Sequence, residues 1–308
     1  FRRVLFRSDI QVSDGNGNLL IHFRGWEELC ERVPPEYHQF ILRPSEKFLT
    51  RELPLELLGN PTTPVAASVA TGVPFKIFEN NQELWLKTLA HVLLAPTERE
   101  EWLAMQGATS RRVEWLFGRA AAKESVRRFL QKYHQARWTA ADIPIWADDS
   151  GKPHPLGPWR EHTSTNIDLS IAHTSKLIVA AVAANARIGI DIEAVGRDLS
   201  EDFTKGVFTQ EEMEMAAQTG EAPIAMLRFW CAKEAISKTI GTGIRYSPRD
   251  LRILSIDSVT GQIQIELFGQ WLDSFKQLKG RKNIVHSALY EDHVFASCML
   301  PSSLFESA

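Results

Sequence analysis

The chain has 308 residues, 44% of them hydrophobic and 24% charged, with a net charge of −3. That length suits two domains of ordinary size, and the charge excludes a globally basic surface for nucleic acid. Cys30, Cys231 and Cys298 lack metal-type spacing and fit a reduced, cytoplasmic protein, while no apolar run reaches the ~20 residues of a membrane span and no signal-peptide pattern opens the chain.

The chain opens at Phe1 without an initiator methionine, which reads as the continuation of something longer. Asp9–Phe23 holds two β-type runs around the Gly/Asn-rich stretch Asp14–Asn18, a hairpin signal. Pro34, Pro35, Pro44, Pro54, Pro61 and Pro64 follow without a sustained period, so this stretch reads as a linker or wrapping arm. A lone hairpin is marginal in water. Residues 1–60 are therefore expected either to pack on the remainder or to end a domain of their own, with 61–82 as linker.

Helical spacing begins at Glu83–Leu94, and Thr97 is expected to cap a helix with Glu98, Glu100 and Glu101 in its first turn. Arg111–Lys132 reads as a long helix with the apolar stripe Val113, Leu116, Phe117, Ala120, Val126, Phe129 and Leu130. Its cations Arg111, Arg112, Arg119, Lys123, Arg127 and Arg128 make it a candidate anion-binding element, or else a solvated basic face. Gly151-Lys152-Pro153 is a turn presenting a lysine, and the strand Ile167–Ala172 delivers His173 at its end.

Leu177–Ala184 and Arg187–Ile192 read as a hairpin across Asn185-Ala186. The second run places Asp191 and Glu193 on one strand face, with Ile190 and Ile192 on the other. Thr209–Gln218 carries a capping box through Thr209 and Glu212. The next helix starts near Ala222 and stops at Gly241-Thr242-Gly243. On it, Trp230, Glu234 and Lys238 succeed one another at one-turn intervals along one face. Two hairpins close the chain, around Gly261 and around Glu291-Asp292, and residues 301–308 are expected to fray.

Asp191 and Glu193 are a hard oxygen pair, and a third carboxylate, Glu234, would suit Mg²⁺ shared with substrate phosphate. The residues alone leave open that Asp191 and Glu193 mark an exposed strand end and that Glu234 and Lys238 are a surface ion pair. Zinc is disfavoured by the lack of a His/Cys cluster, a hydrolase triad at Ser170 and His173 by the lack of a nucleophile elbow, and a kinase or ATPase by the lack of a phosphate-binding loop motif.

Four blocks then recur in order: Gly151-Lys152-Pro153, Leu169–Thr174, Ile188–Glu193, and Trp230-x-x-Lys233-Glu234-x-x-x-Lys238. Together they resemble the Sfp-type 4′-phosphopantetheinyl transferases over residues 83–300. The resemblance implies an α+β fold of two similar α/β halves in a pseudo-twofold arrangement, here 83–182 and 183–300, with the hairpin and linker as an N-terminal extension. It implies transfer of the 4′-phosphopantetheine arm of coenzyme A to a serine of an apo acyl or peptidyl carrier protein, releasing 3′,5′-ADP. Asp191, Glu193 and Glu234 match the family's Mg²⁺ (or Mn²⁺) carboxylates. Glu234 is also the implied base, directly or through water, and Lys238 serves the leaving group. Lys152, His173, Arg119, Lys123 and Arg112 match positions that hold the phosphates of coenzyme A. The chain departs from the family pattern at Ala172 and Ala235, where serines are common, and neither change removes a charge the mechanism needs.

Asp9–Trp26 resembles the closing strands of hot-dog dehydratase domains of polyketide synthases. That resemblance implies a synthase context, with a carrier domain of the same assembly as a candidate partner; neither nucleic acid nor membrane is implied. Two alternatives remain: a catalytically silent scaffold that docks carrier proteins, and a metal-independent acyltransferase using an acyl-coenzyme A.

Overall fold

The computed structural model describes residues 4–30, 34–71, 73, 78 and 83–305. Strands β1 (Val4–Ser13) and β2 (Leu19–Cys30) form the expected antiparallel hairpin, longer than the sequence signal suggested. The Asp14 carboxylate pins its turn by accepting the N–H groups of Asn16 and Asn18, each at 2.9 Å. This hairpin pairs with no other described strand.

The segment expected to be a linker is part of the first half. Helix α1 (Pro35–Leu42) starts at a proline suited to a helix N-terminus and buries Tyr37 and Phe40; Tyr37 meets Phe78 and Phe117 edge-to-face. After the short β3 (Arg51–Glu52), β4 (Val65–Thr71) pairs along its whole length with a later strand. Prolines here separate short elements, too short to show a period. β4 also lacks alternation because it is covered on both faces, where small and apolar residues follow one another. The first half therefore begins near residue 34, not 83, and no linker spans all of 61–82.

Helices α2 (Leu84–Leu93), α3 (Pro96–Ala104) and α4 (Thr109–His134) follow, then the small hairpin β5 (Ile145–Ala147) and β6 (Pro153–Pro155), and β7 (Ile167–His173) and β8 (Leu177–Ala184). The sheet order is β3-β4-β8-β7, and the predicted apolar stripe of α4 is buried in the core against it. The second half comprises β9 (Ala186–Ala194), α5 (Glu201–Val207), α6 (Gln210–Gln218), α7 (Ala222–Ile240), β10 (Leu251–Ile256), β11 (Gln262–Leu267), α8 (Gly269–Ser274), β12 (Asn283–Tyr290) and β13 (His293–Pro301). Its sheet runs β10-β11-β12-β13-β9, with α7 packed on β9 and β13. The fold class is α+β, as expected. The tail does not fray immediately: a turn at Ser302–Leu304 brings Phe305 under the Arg187 guanidinium at 3.8 Å.

β8 and β9 are not a hairpin. Both edges of β8 are occupied, by β4 and β7, so the chain turns at Asn185 (φ 55°) and β9 joins the other sheet beside β13. The two sheets meet where β9 runs beside β7. There Ile188 N–H donates to Asp168 Oδ2 at 2.8 Å and Ile190 N–H to Ser170 Oγ at 3.1 Å. A third core, including Val69, Val179, Ile188, Ile190 and Phe295, fills the space between the halves.

Gly189 lets α7 lie on β9. A methyl group there would fall 2.0 Å from Ala235 O and 2.4 Å from Thr239 N, both backbone atoms of that helix. Gly189→Ala is expected to destabilise the protein by about 1–3 kcal/mol through this overpacking, measured by urea unfolding.

The halves repeat one plan. Residues 122–124 and 232–234 both read Ala-Lys-Glu, on α4 and α7 respectively. Lys123 is fully buried, paired with Glu98 and donating to Leu93 O and Ala140 O, each at 3.1 Å. Lys233 is likewise buried, paired with Glu212 at 2.8 Å and donating to Val207 O and Pro248 O, each at 3.0 Å. Each acid also accepts two backbone N–H groups: Glu98 those of Ala95 and Ile145, Glu212 those of Thr209 and Ile253. The same ion pair, made from equivalent elements, thus anchors the long helix of each half.

Candidate active site

α7 lies over the face of β9 that carries Gly189, Asp191 and Glu193, while Ile188, Ile190 and Ile192 point into the core between the halves. Asp191 is buried, and its Oδ1 accepts Lys238 Nζ at 2.8 Å. Its Oδ2 is buried without a hydrogen-bond partner. The adjacent Cys231 sulfur lies 3.8 Å from Val294 O as donor. Cys231 is the small buried side chain expected, and burial together with the Asp191 charge pushes its thiol up.

Glu234 is half-buried on the next turn of α7 after Trp230. Burial first, then the charge of Asp191, pushes its carboxyl above the ordinary value. For Lys238, burial works against the charged form, but Asp191 and Glu234 outweigh it and hold the ammonium above its usual value. The Glu234-to-Lys238 spacing therefore gives no simple surface pair, because Lys238 reaches across to the strand. Trp230 does more than pack. Its Nε1 donates to Glu193 Oε1 at 3.3 Å, and its ring meets Phe203 edge-to-face at 5.0 Å. Glu193 is also ion-paired to Arg197.

Lys152 reaches this site from the first half. Its Nζ pairs with Asp168 at 2.8 Å and lies 3.4 Å from Lys238 O, at a cleft of about 220 Å³ also lined by Gly241 and Ile171. Ile171 also lines a neighbouring cleft of about 360 Å³ with His173, Arg111, Trp115 and Arg119. Arg119 lies 4.5 Å over the Trp115 ring and 3.7 Å from Glu98. A larger cavity, about 400 Å³, lies between Leu58–Thr63 and β12–β13 and holds none of these residues.

Two expected phosphate contacts do not reach the clefts. Lys123 is sealed in the core by Glu98, and burial lowers its ammonium to about 8 despite that partner. Arg112 is ion-paired to Glu83 and stands over Trp102 at 5.5 Å. Arg112, Arg119 and Lys123 share a helical face that turns toward α3; Lys123 is sealed against Glu98, while Arg119, at the edge, also lines the cleft. Thr97, expected as a cap, lies inside α3, which begins at Pro96; Glu98 caps it through Ala95 N–H. Arg127 and Arg128 are also inward, donating to Trp138 O and Thr50 O respectively. Arg111, one turn before Trp115 and named among the helix cations but matched to no phosphate, also lines the cleft, and the i, i+4, i+8 row of Arg111, Trp115 and Arg119 is the signal that marks it. Ser170 is consumed in the sheet junction and is no nucleophile.

The first half carries a closed counterpart of this site. Glu124 occupies the place of Glu234, but it is fully buried and accepts Leu49 N–H and Thr50 N–H, each at 2.8 Å. Arg128 takes the place of Lys238 and donates to Ser68 Oγ at 3.2 Å, where Lys238 meets Asp191. Ser68 stands where Asp191 would be, Glu52 lies across from it on the neighbouring strand, and Thr50 donates to Glu124.

Among the described residues no three His, Cys, Asp or Glu side chains stand together as a ready metal site, but the donor chemistry of Asp191, Glu193 and Glu234 suits a hard divalent cation. They offer carboxylate oxygens only, and Asp191 Oδ2 is a buried acceptor with nothing bound to it. No helix among the described residues is long and apolar enough to cross a membrane.

Comparison with known proteins places residues 187–298 within the 4′-phosphopantetheinyl transferase superfamily profile. A holo-[acyl-carrier-protein] synthase of Dinoroseobacter shibae is 34% identical over 119 residues, covering 35% of this chain and 84% of that protein. The holo-[acyl-carrier-protein] synthase of Caldicellulosiruptor saccharolyticus is 30% identical over 117 residues, covering 37% and 93%. Among solved structures, a holo-(acyl-carrier-protein) synthase from Bacillus anthracis in complex with CoA aligns at 25% identity and a TM-score of 0.31, over 40% of this chain and 95% of that one.

Proposed function

This chain belongs to the 4′-phosphopantetheinyl transferase superfamily, and from that premise we propose that it transfers the 4′-phosphopantetheine arm of coenzyme A to a serine of an apo acyl or peptidyl carrier protein. The observation that carries the reading is the convergence of Asp191, Glu234 and Lys238 between β9 and α7, with one Asp191 oxygen buried and unpartnered. The two-half build, with one open and one closed site, supports the Sfp-type subfamily.

In this reading the serine hydroxyl oxygen forms a bond to the β-phosphorus of coenzyme A, and the bond from that phosphorus to the 3′,5′-ADP oxygen breaks. Glu234 takes the serine proton, directly or through water, and a carboxyl with a raised pKa is the stronger base for the task. Lys238 neutralises the charge that develops on departing 3′,5′-ADP. Lys152, His173 and Arg119 grip phosphates along the joined clefts, with Arg111 added and Arg112 and Lys123 withdrawn. Asp191, Glu193 and Glu234 would hold Mg²⁺ or Mn²⁺, which supplies positive charge to the pyrophosphate. The carrier would belong to a polyketide or fatty-acid-type synthase. The hairpin β1–β2, unpaired with any other described strand, would close a dehydratase domain of the same assembly.

Incubation with coenzyme A, Mg²⁺ and apo carrier proteins tests this. A mass gain of one phosphopantetheine on the carrier, lost on chelation of divalent ions, is the expected result; no gain on any of several carriers would sink the proposal. A pH prediction accompanies it. The Lys238 cation lowers the Glu234 pKa, against burial and Asp191, which raise it. Removing that cation in Lys238→Met lets Glu234 protonate at higher pH. The acid limb of the pH profile of kcat/KM should then move upward, by about one unit for loss of a neighbouring charge.

A further inference from the structure

Glu193 does not stand free beside Asp191. Its Oε1 is engaged twice, by the Arg197 guanidinium in an ion pair and by Trp230 Nε1 at 3.3 Å. Arg197 is itself held in place. Its N–H closes a turn onto Ala194 O at 2.9 Å, four residues after Glu193 has left β9 toward α5. Its guanidinium carbon lies 5.3 Å from the Phe203 ring centroid and 5.9 Å from that of Trp230. A cation thus rests in an aromatic notch, on a carboxylate that the function proposed above assigns to a divalent ion.

We propose that Arg197 is a built-in competitor of that ion at Glu193. The proposal rests on the metal reading of Asp191, Glu193 and Glu234. Asp191 and Glu234 repel one another unless cations stand among them, and Glu193 lies two residues along the same strand as Asp191. Two cations stand there, each on one oxygen: Lys238 on Asp191 Oδ1, and Arg197, joined by Trp230, on Glu193 Oε1. A metal recruiting Glu193 meets the charge of the guanidinium on the same carboxylate, and a guanidinium pushed aside remains over Phe203 and Trp230, where aromatic faces attract a cation. The site is thereby charge-balanced without metal, and its affinity for a free divalent ion is set low. Loading is then favoured when the pyrophosphate of the co-substrate brings oxygen ligands of its own.

The test measures Mn²⁺ binding to the full chain without coenzyme A, by the electron paramagnetic resonance signal of free Mn²⁺. The proteins are wild type, Arg197→Gln, Glu193→Gln and the double variant, each checked for fold by circular dichroism. Arg197→Gln should tighten Mn²⁺ binding by about tenfold, the effect of removing one neighbouring cation and freeing a ligand. Glu193→Gln should weaken it, and the gain from Arg197→Gln should vanish in the Glu193→Gln background. Unchanged or weaker binding in Arg197→Gln would overturn the proposal, since Arg197 would then merely position Glu193. An equal gain in both backgrounds would also overturn it, because the effect would be a distant charge and no competition. Should Arg197→Gln misfold, Arg197→Lys, which lacks the planar fork, is expected to give a smaller gain, and no gain overturns the proposal. Absence of Mn²⁺ binding in every protein, with carrier modification persisting in chelator, would instead remove the metal reading on which this proposal stands.

Discussion

Glu234→Gln is expected to lower kcat for phosphopantetheine transfer by about 10²–10⁴-fold, the range typical for loss of a general base. The amide keeps the shape and hydrogen-bonding capacity of the side chain but can neither take the serine proton nor offer an anionic oxygen to a cation. Glu234 is half-buried beside Asp191, and the burial and that charge raise its pKa, so the neutral replacement should fit without cost to the fold. The measurement is the rate of carrier mass gain at saturating coenzyme A, with circular dichroism as the check on folding. A variant within tenfold of wild type would move the base to another residue. The phosphate contacts proposed for Lys152 and His173 do not involve Glu234, so KM for coenzyme A should change far less than kcat.

The second large effect concerns stability. Lys123→Met should cost about 3–5 kcal/mol, the range for removing one member of a buried ion pair. Glu98 would keep the N–H groups of Ala95 and Ile145 but lose its buried cation, and the carbonyls of Leu93 and Ala140 would lose their donor. Urea unfolding should show the loss as a lower midpoint at an unchanged slope, while KM for coenzyme A stays near the wild-type value. The opposite pattern, a tenfold rise in KM with stability intact, would return Lys123 to the phosphate site.

These two residues also show where reading the sequence succeeded and where it failed. Strand alternation placed Asp191 and Glu193 on one face, and helical spacing placed Glu234 and Lys238 one turn apart; both arrangements are present because they depend only on local geometry. What lies opposite each face is a tertiary matter. The resemblance assigned Arg112, Arg119 and Lys123 to phosphate, but nothing local to the helix says that Glu83 faces Arg112 and Glu98 faces Lys123. The turn at Asn185 reads alike whether the next strand folds back or crosses to another sheet, and only the occupied edges of β8 decide between them. β4 escaped notice because a strand covered on both faces has no alternation to detect. The repeated Ala-Lys-Glu was the overlooked signal: matched with the acid at the start of the preceding helix, it marks both lysines as scaffold.

That repetition makes the chain its own control. Positions that keep the same job in both halves, Lys123 with Lys233 and Glu98 with Glu212, are the ones whose loss should be felt as unfolding. Positions that diverge, Ser68 against Asp191 and Arg128 against Lys238, are where the working half has been specialised. The glutamates are the instructive case: Glu124 and Glu234 are identical in sequence, yet one is a sealed bracket for Leu49 and Thr50 and the other faces an opening. Identity of residue is therefore no guide to identity of role, and planting an aspartate at Ser68 would not create a second centre. The hold of Thr50 on Glu124 would have to be released first.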